Sequence, residues 1–195
     1  MNKVITASEV RTRLALTDDE GVNAAINSAI GAALVRTEAV LGTLLQVGTA
    51  SDVFFIDPHV DVATRGTFVL KLSNGLAKQQ GMVITYSGTL EGLSDSPDAV
   101  QAFVVQEERG FVFIPEALSG NFIRVVYSYG LAESDEAPSW LKEAVLCYTA
   151  KVLSSQQISD GKPELSNAFA FLDQHGSTII DRHLRSNSDA ILPLA

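Results

Sequence analysis

Two short arrangements late in the chain carry residue types that bind metals: Asp173-Gln174-His175 and Asp181-Arg182-His183, an Asp-x-His pair repeated after eight residues. Carboxylates and imidazoles brought together in this way would make a metal-dependent hydrolase. On an ideal helix, however, eight residues turn about 80° past alignment, so the two pairs diverge unless Gly176 breaks the helix between them. Surface acids beside partly buried histidines fit that spacing better than a metal centre. The three carboxylates Asp18, Asp19 and Glu20 are consecutive, whereas a hard-cation loop needs oxygen ligands at alternating positions and a distal glutamate. They suit the start of a helix, where Thr17 or Asp18 can cap free amides and the macrodipole favours negative charge.

Other chemistry finds less support. G-x-S-x-G is absent, and the glycine-flanked Ser87 and Ser119 fall in turns. SDGKPE contains Gly-Lys, but Pro163 stands where a phosphate loop needs a hydroxyl, which makes the segment a linker. His59 follows Pro58 in a turn, and Glu107, Glu108 and Arg109 read as solvated charges of a hairpin. Cys147 lies in a helical apolar pattern as a buried thiol; as the one cysteine it excludes an internal disulfide and gives no zinc spacing. No catalytic, cofactor-binding or metal-ligating residue is therefore assigned.

The elements that hold these residues change period along the chain. Thr6 or Ser8 can cap a short helix to about Leu16. From Asp18 to about Leu45 no proline occurs, and two apolar stripes, one through Val22, Ile26, Ala29 and Ala33 and one through Ile30, Leu34 and Leu41, predict a long helix that packs on more than one side. Ala25, Ala29, Gly31, Ala32 and Ala33 are small enough for another backbone to come close, and Ala25, Ala29, Ala33 and Trp140 are the candidate subunit-packing positions. After Gly48 the period falls to two. Strands are expected at DVFFI, GTFVLKL, MVITY, VQAFVV, GFVFI and NFIRVVYSY, with EERG as a tight hairpin turn. Pro138 opens another helix, with Trp140 as an interface anchor or core residue and Leu141, Ala144, Val145 and Tyr148 on its buried side. A last helix is expected from Pro163, bent at Gly176, before NSDAILPLA. The reading is α+β: a helical bundle made by the two ends of the chain, with an inserted antiparallel β-sandwich or barrel. Its parts are 1–48, 49–131 and 132–195.

The 195 residues carry fourteen basic and twenty-three acidic side chains, a formal charge of −9. That is the wrong sign for gripping phosphate backbones. Apolar residues make up 46% and charged ones 19%, with a mean hydropathy of +0.17, which hints at surface buried between subunits. No apolar run approaches a membrane span and the first residues lack signal-peptide character, so a soluble protein made in the cytoplasm is expected.

The order ITASEVRTRLALTDDEGVNAAINSAIGAALVRTEAVLG, a capped helix, an acidic turn and a long alanine-rich helix, resembles the start of tailed-phage head–tail connector (adaptor) proteins. APSWLKEAVLCYTAKVL resembles the helix these proteins carry after a proline. The likeness covers residues 4 to 46 and 138 to 157, and the chain departs from shorter members by inserting β structure between the helices. It implies a virion protein of the neck, made in the host cytoplasm, forming a ring of about twelve copies below the portal. It also implies contacts with portal and tail or neck proteins, and no cofactor or membrane. DNA would pass through without specific binding. Twelve copies would carry about −108 in formal charge, which a duplex with one charge per ~1.7 Å would not adhere to. Ile191, Leu192 and Leu194 are the candidate portal-docking residues. Two alternatives are an accessory or tail-completion module whose β insert binds protein or glycan, and the hydrolase above.

Overall fold

A computed structural model describes residues 4–16, 20–41, 45–132, 135–159, 166–184 and 190–194. The cap expected at Thr17 or Asp18, the carboxylate Asp19 and the helix start at Pro163 lie outside the described residues. In chain order the elements are α1 (Ala7–Leu14), α2 (Glu20–Leu41), β1 (Gly48–Phe55), β2 (Thr67–Lys71), β3 (Ala77–Ser87), α3 (Gly92–Asp95), β4 (Asp98–Ala99), β5 (Val104–Gln106), β6 (Phe111–Pro115), β7 (Phe122–Tyr129), α4 (Ser139–Ser159) and α5 (Ser166–Leu184). The fold is α+β, and the chain divides into two compact units: Met1–Leu45 with Leu131–Leu184, and Gln46–Gly130 with Arg185–Ala195.

The first unit is helical. Thr6 and Glu9 form a reciprocal cap on α1: the Thr6 hydroxyl accepts from the Glu9 amide at 3.2 Å, and the Glu9 carboxylate accepts from the Thr6 amide at 2.7 Å. The Thr6 amide and then the Thr6 hydroxyl, which also donates to the Glu9 carboxylate at 2.9 Å, hold that carboxyl below its usual value. α1 ends at Ala15 in the left-handed region (φ 51°). Arg11 donates to the Asn23 side chain at 2.9 Å, tying α1 to α2. Ile26, Ala29, Ile30, Ala33 and Thr37 form the buried side of α2. They lie within an arc of about 100° on a helical wheel. On α4 Trp140, Leu141, Ala144, Val145 and Tyr148 are buried, with Cys147, Thr149 and Ala150, so burial reaches well round this helix, and burying each large side chain contributes about 1.5–3 kcal/mol. The buried hydroxyls of Thr37 and Thr149 donate to carbonyls one turn back, at 2.8 and 2.7 Å, so neither is left unsatisfied. α2 is long and apolar enough, by length and composition, to cross a membrane. A core helix of a bundle passes the same test.

The second unit is a two-layer antiparallel sandwich. One sheet has strand order β1-β7-β3-β4 and the other β2-β6-β5. Alternation decides what lies between the layers: Phe54 on β1, Ile84 on β3 and Ile123, Val125 and Tyr127 on β7 face Phe68 and Leu70 on β2 and Val112 and Ile114 on β6. Of the expected strand VQAFVV only Val104 and Val105 are strand, the start of β5, while residues 100–103 carry the chain from β4, which ends at Ala99 in one sheet, to β5 in the other. The turn before β6 ends on Gly110 at φ +66°, where a Cβ would lie 2.7 Å from the Asn74 carbonyl.

Candidate functional site

The Asp-x-His pairs lie on α5, which runs unbroken through Gly176. The interruption expected there is absent, because the glycine serves packing. A Cβ at Gly176 would sit 2.9 Å from the Tyr148 ring, so its absence lets α5 close on α4. Tyr148 is 2% exposed, its hydroxyl lies 3.0 Å from that of Ser177, and the Arg36 guanidinium sits 5.9 Å from its ring centre. With the helix unbroken, the rotation that separates the pairs stands, and His175 and Asp181 are exposed. Among the described residues no group of three or more His, Cys, Asp or Glu could hold a metal ion. Cys147 is buried, and burial followed by the nearby Glu143 pushes its thiol up, opposite to what an activated nucleophile needs. His59 sits in a turn closed by Asp57, whose carboxylate accepts from the His59 amide at 2.8 Å. Glu107 accepts from the Gln79 amide at 2.6 Å and so pins a turn.

One polar cluster is built into the β unit. Asp52 is 8% exposed and accepts from the Ser73 amide (2.7 Å), the Ser73 hydroxyl (2.9 Å) and the Tyr127 hydroxyl (2.8 Å). Tyr127 in turn accepts from the Asn74 amide and side chain at 3.2 and 3.3 Å. Burial, more than any neighbour, pushes the phenol up to about 12. The cluster fixes the loop after β2 onto β1 and β7. It has an acceptor and donors matched to one another, and its role is structural.

The surface of α2 differs from an ordinary solvent face. Opposite its buried side, Gly21, Ala24, Ser28, Gly31, Ala32, Val35 and Ala39 are exposed and cover about 100° of the helix without a charge. Only Glu20, Arg36 and Glu38 are charged in the 22 residues. Gly21, Ala24, Ser28, Gly31 and Val35 follow alternating steps of three and four, the spacing of a helix–helix seam. A Cβ at Gly31 would meet nothing within 4 Å among the described residues, and Val35 is 67% exposed. Of the packing positions expected from sequence, Ala29, Ala33 and Trp140 are buried in the helical unit itself and Ala25 is half-buried. Of the outward residues, Gly31 and Ala32 were readable from the sequence as positions of close approach, whereas which side of α2 they occupy was not.

The segment 190–194 lies on the β unit. Ile191 bridges Leu70 in parallel fashion, its amide donating to the Val69 carbonyl (2.8 Å) and its carbonyl accepting from the Lys71 amide (2.9 Å). The Leu194 amide donates to the Val53 carbonyl at 2.7 Å. Ile191 packs against the sandwich core, while Leu192 and Leu194 stay 65% and 49% exposed. Elsewhere on this unit an open groove of about 520 Å³ is lined by Thr67, Gln79, Gln101, Phe103, Val104 and Phe113 among others.

No protein-family model matches the chain, and no curated protein matches it. Among solved structures it is similar to a chain described as "Neck of empty GTA particle computed with C6 symmetry". The two are 15% identical with a TM-score of 0.40, and the likeness covers 78% of each chain.

Proposed function

We propose that this chain is a structural head-to-tail adaptor of a tailed phage, without catalytic activity, forming a ring below the portal that carries the DNA channel on to the tail. The observation that carries the reading is the uncharged outward seam of α2. An exposed glycine in mid-helix costs about 1 kcal/mol relative to alanine, and Gly31 has no steric reason for being glycine within the described protomer. A neighbouring helix approaching closely supplies one, as small residues do wherever two helix backbones meet. The acidic total of −9 per copy suits a conduit that DNA traverses without adhering, and the resemblance of the helical segments to connector proteins points the same way. Of the three residues expected to dock on the portal, Ile191 packs against the sandwich core, while Leu192 and Leu194 stay exposed on the β unit and open to a partner outside this copy. A second reading, an accessory module whose β unit binds protein or glycan, draws on the 520 Å³ groove, whose named lining residues are uncharged.

The test is mass by light scattering, with and without portal particles, for the wild-type chain and Ala32→Arg. The adaptor reading expects a ring-sized species or co-sedimentation with the portal for the wild type. Ala32→Arg, which puts a charge on the uncharged outward face beside the seam without touching the buried side, should abolish it. A wild-type chain that stays a single copy and ignores the portal, or an Ala32→Arg chain that assembles unchanged, would reject it.

A further inference from the structure

We propose that the cleft between β1 and β2 is a strand-acceptor site whose occupant in the assembled protein is the 190–194 segment of a neighbouring copy. The inference rests on the ring reading and gives it a second, separate link between copies. β1 ends one sheet order and β2 ends the other, so each offers an edge that no other sheet strand covers. The segment binds both: Ile191 exchanges two backbone hydrogen bonds with β2, and Leu194 makes one to Val53 on β1.

The segment is not continuous with the strands it joins. It follows α5, which belongs to the helical unit, and enters the β unit as a separate piece. Among the described residues its contacts are with β1, β2 and the sandwich core, so the same residues of another copy would make them equally well, the condition under which exchange between protomers costs little. The seating within one copy rests, among the described residues, on three backbone hydrogen bonds and on the half-buried Ala190, Ile191 and Pro193, and Leu192 and Leu194 remain uncovered. A junction between copies is where those two leucines become covered. One such link is weak; repeated around a closed ring, each holds its neighbours in reach and the links reinforce one another.

The experiment uses the full chain. Leu70→Cys and Ile191→Cys are combined on a Cys147→Ala background, and the protein is oxidised across a concentration series. Exchange predicts a disulfide-linked ladder whose share rises with concentration; a monomeric loop at every concentration, or no cross-link at all, overturns the proposal. Because Leu70 is buried, a second measurement leaves the core intact. A photo-cross-linker replaces the exposed Leu192, and isotopically light and heavy chains are unfolded and refolded together. Full exchange expects roughly half of the cross-links to join a light to a heavy chain; light–light and heavy–heavy products alone overturn it. Rings by light scattering without mixed cross-links sink the exchange and spare the ring. Mixed cross-links in a protein whose mass Ala32→Arg leaves unchanged sustain the exchange and sink the α2 seam.

Discussion

Asp52 is the residue whose placement most constrains the β unit. A carboxylate at 8% exposure is tolerable because three donors converge on it, and removing one leaves a buried acceptor short of a partner. Tyr127→Phe takes away the 2.8 Å donor while keeping the ring, and should cost about 1–3 kcal/mol. A lower urea midpoint with unchanged β-sheet circular dichroism would show it. The same phenol gives an alkaline signature. Its folded value, about 12, lies above the ordinary 10, so the stability it brings is intact below pH 10 and falls away as pH rises from 10 to 12. Ultraviolet titration should find one of the four tyrosines ionising near 12, and Tyr127→Phe should lack that step. The acid was legible in part: alternation along SDVFF puts Asp52 on the face of Phe54, but which donors reach it depends on the loop after β2, whose path no local pattern fixes.

Two glycines in helices carry opposite expectations. Propensity alone says that alanine at either should stabilise by about 1 kcal/mol. At Gly31 nothing described opposes a Cβ, so Gly31→Ala should raise the protomer's thermal midpoint. At Gly176 the new methyl would meet a ring that is buried, hydrogen-bonded to Ser177 and faced by Arg36. Overpacking of 1–3 kcal/mol then outweighs the propensity gain, and Gly176→Ala should lower the midpoint. Scanning calorimetry of both variants checks the pair of signs. Elements with their own signals were readable from sequence: the Thr6 cap with Glu9, the long proline-free α2, the glycine-ended EERG turn. The interruption expected at Gly176 was not found, because a glycine needed for close contact and one that ends a helix look the same until the facing residue, Tyr148, is known. VQAFVV likewise reads as one strand, since nothing local tells a chain to leave one sheet and enter the other.

At the scale of the molecule, the sequence made the α+β class and the change of period after Gly48 plain, whereas the outward seam of α2 needed the structure to separate it from the buried stripe alongside. The parallel bridge of Ile191 to Leu70 was out of reach, being a pairing across more than a hundred residues with no spacing to announce it. One further feature reaches beyond this chain. The Leu131 amide donates to the Leu45 carbonyl at 2.9 Å, and Gly130, at φ +89°, lies so near Gln46 that a Cβ there would be 2.2 Å from its carbonyl oxygen. Everything between those points leaves and returns through one doorway, so closing it without the intervening residues costs little chain entropy. A chain in which a short glycine-rich turn replaces 46–130 should keep a cooperative helical melt by circular dichroism, and a Gly130→Ala chain should be the less stable of the two. The stretch 46–130 is then a cassette, something a lineage can acquire, trade or discard while the helices that receive it stay as they are.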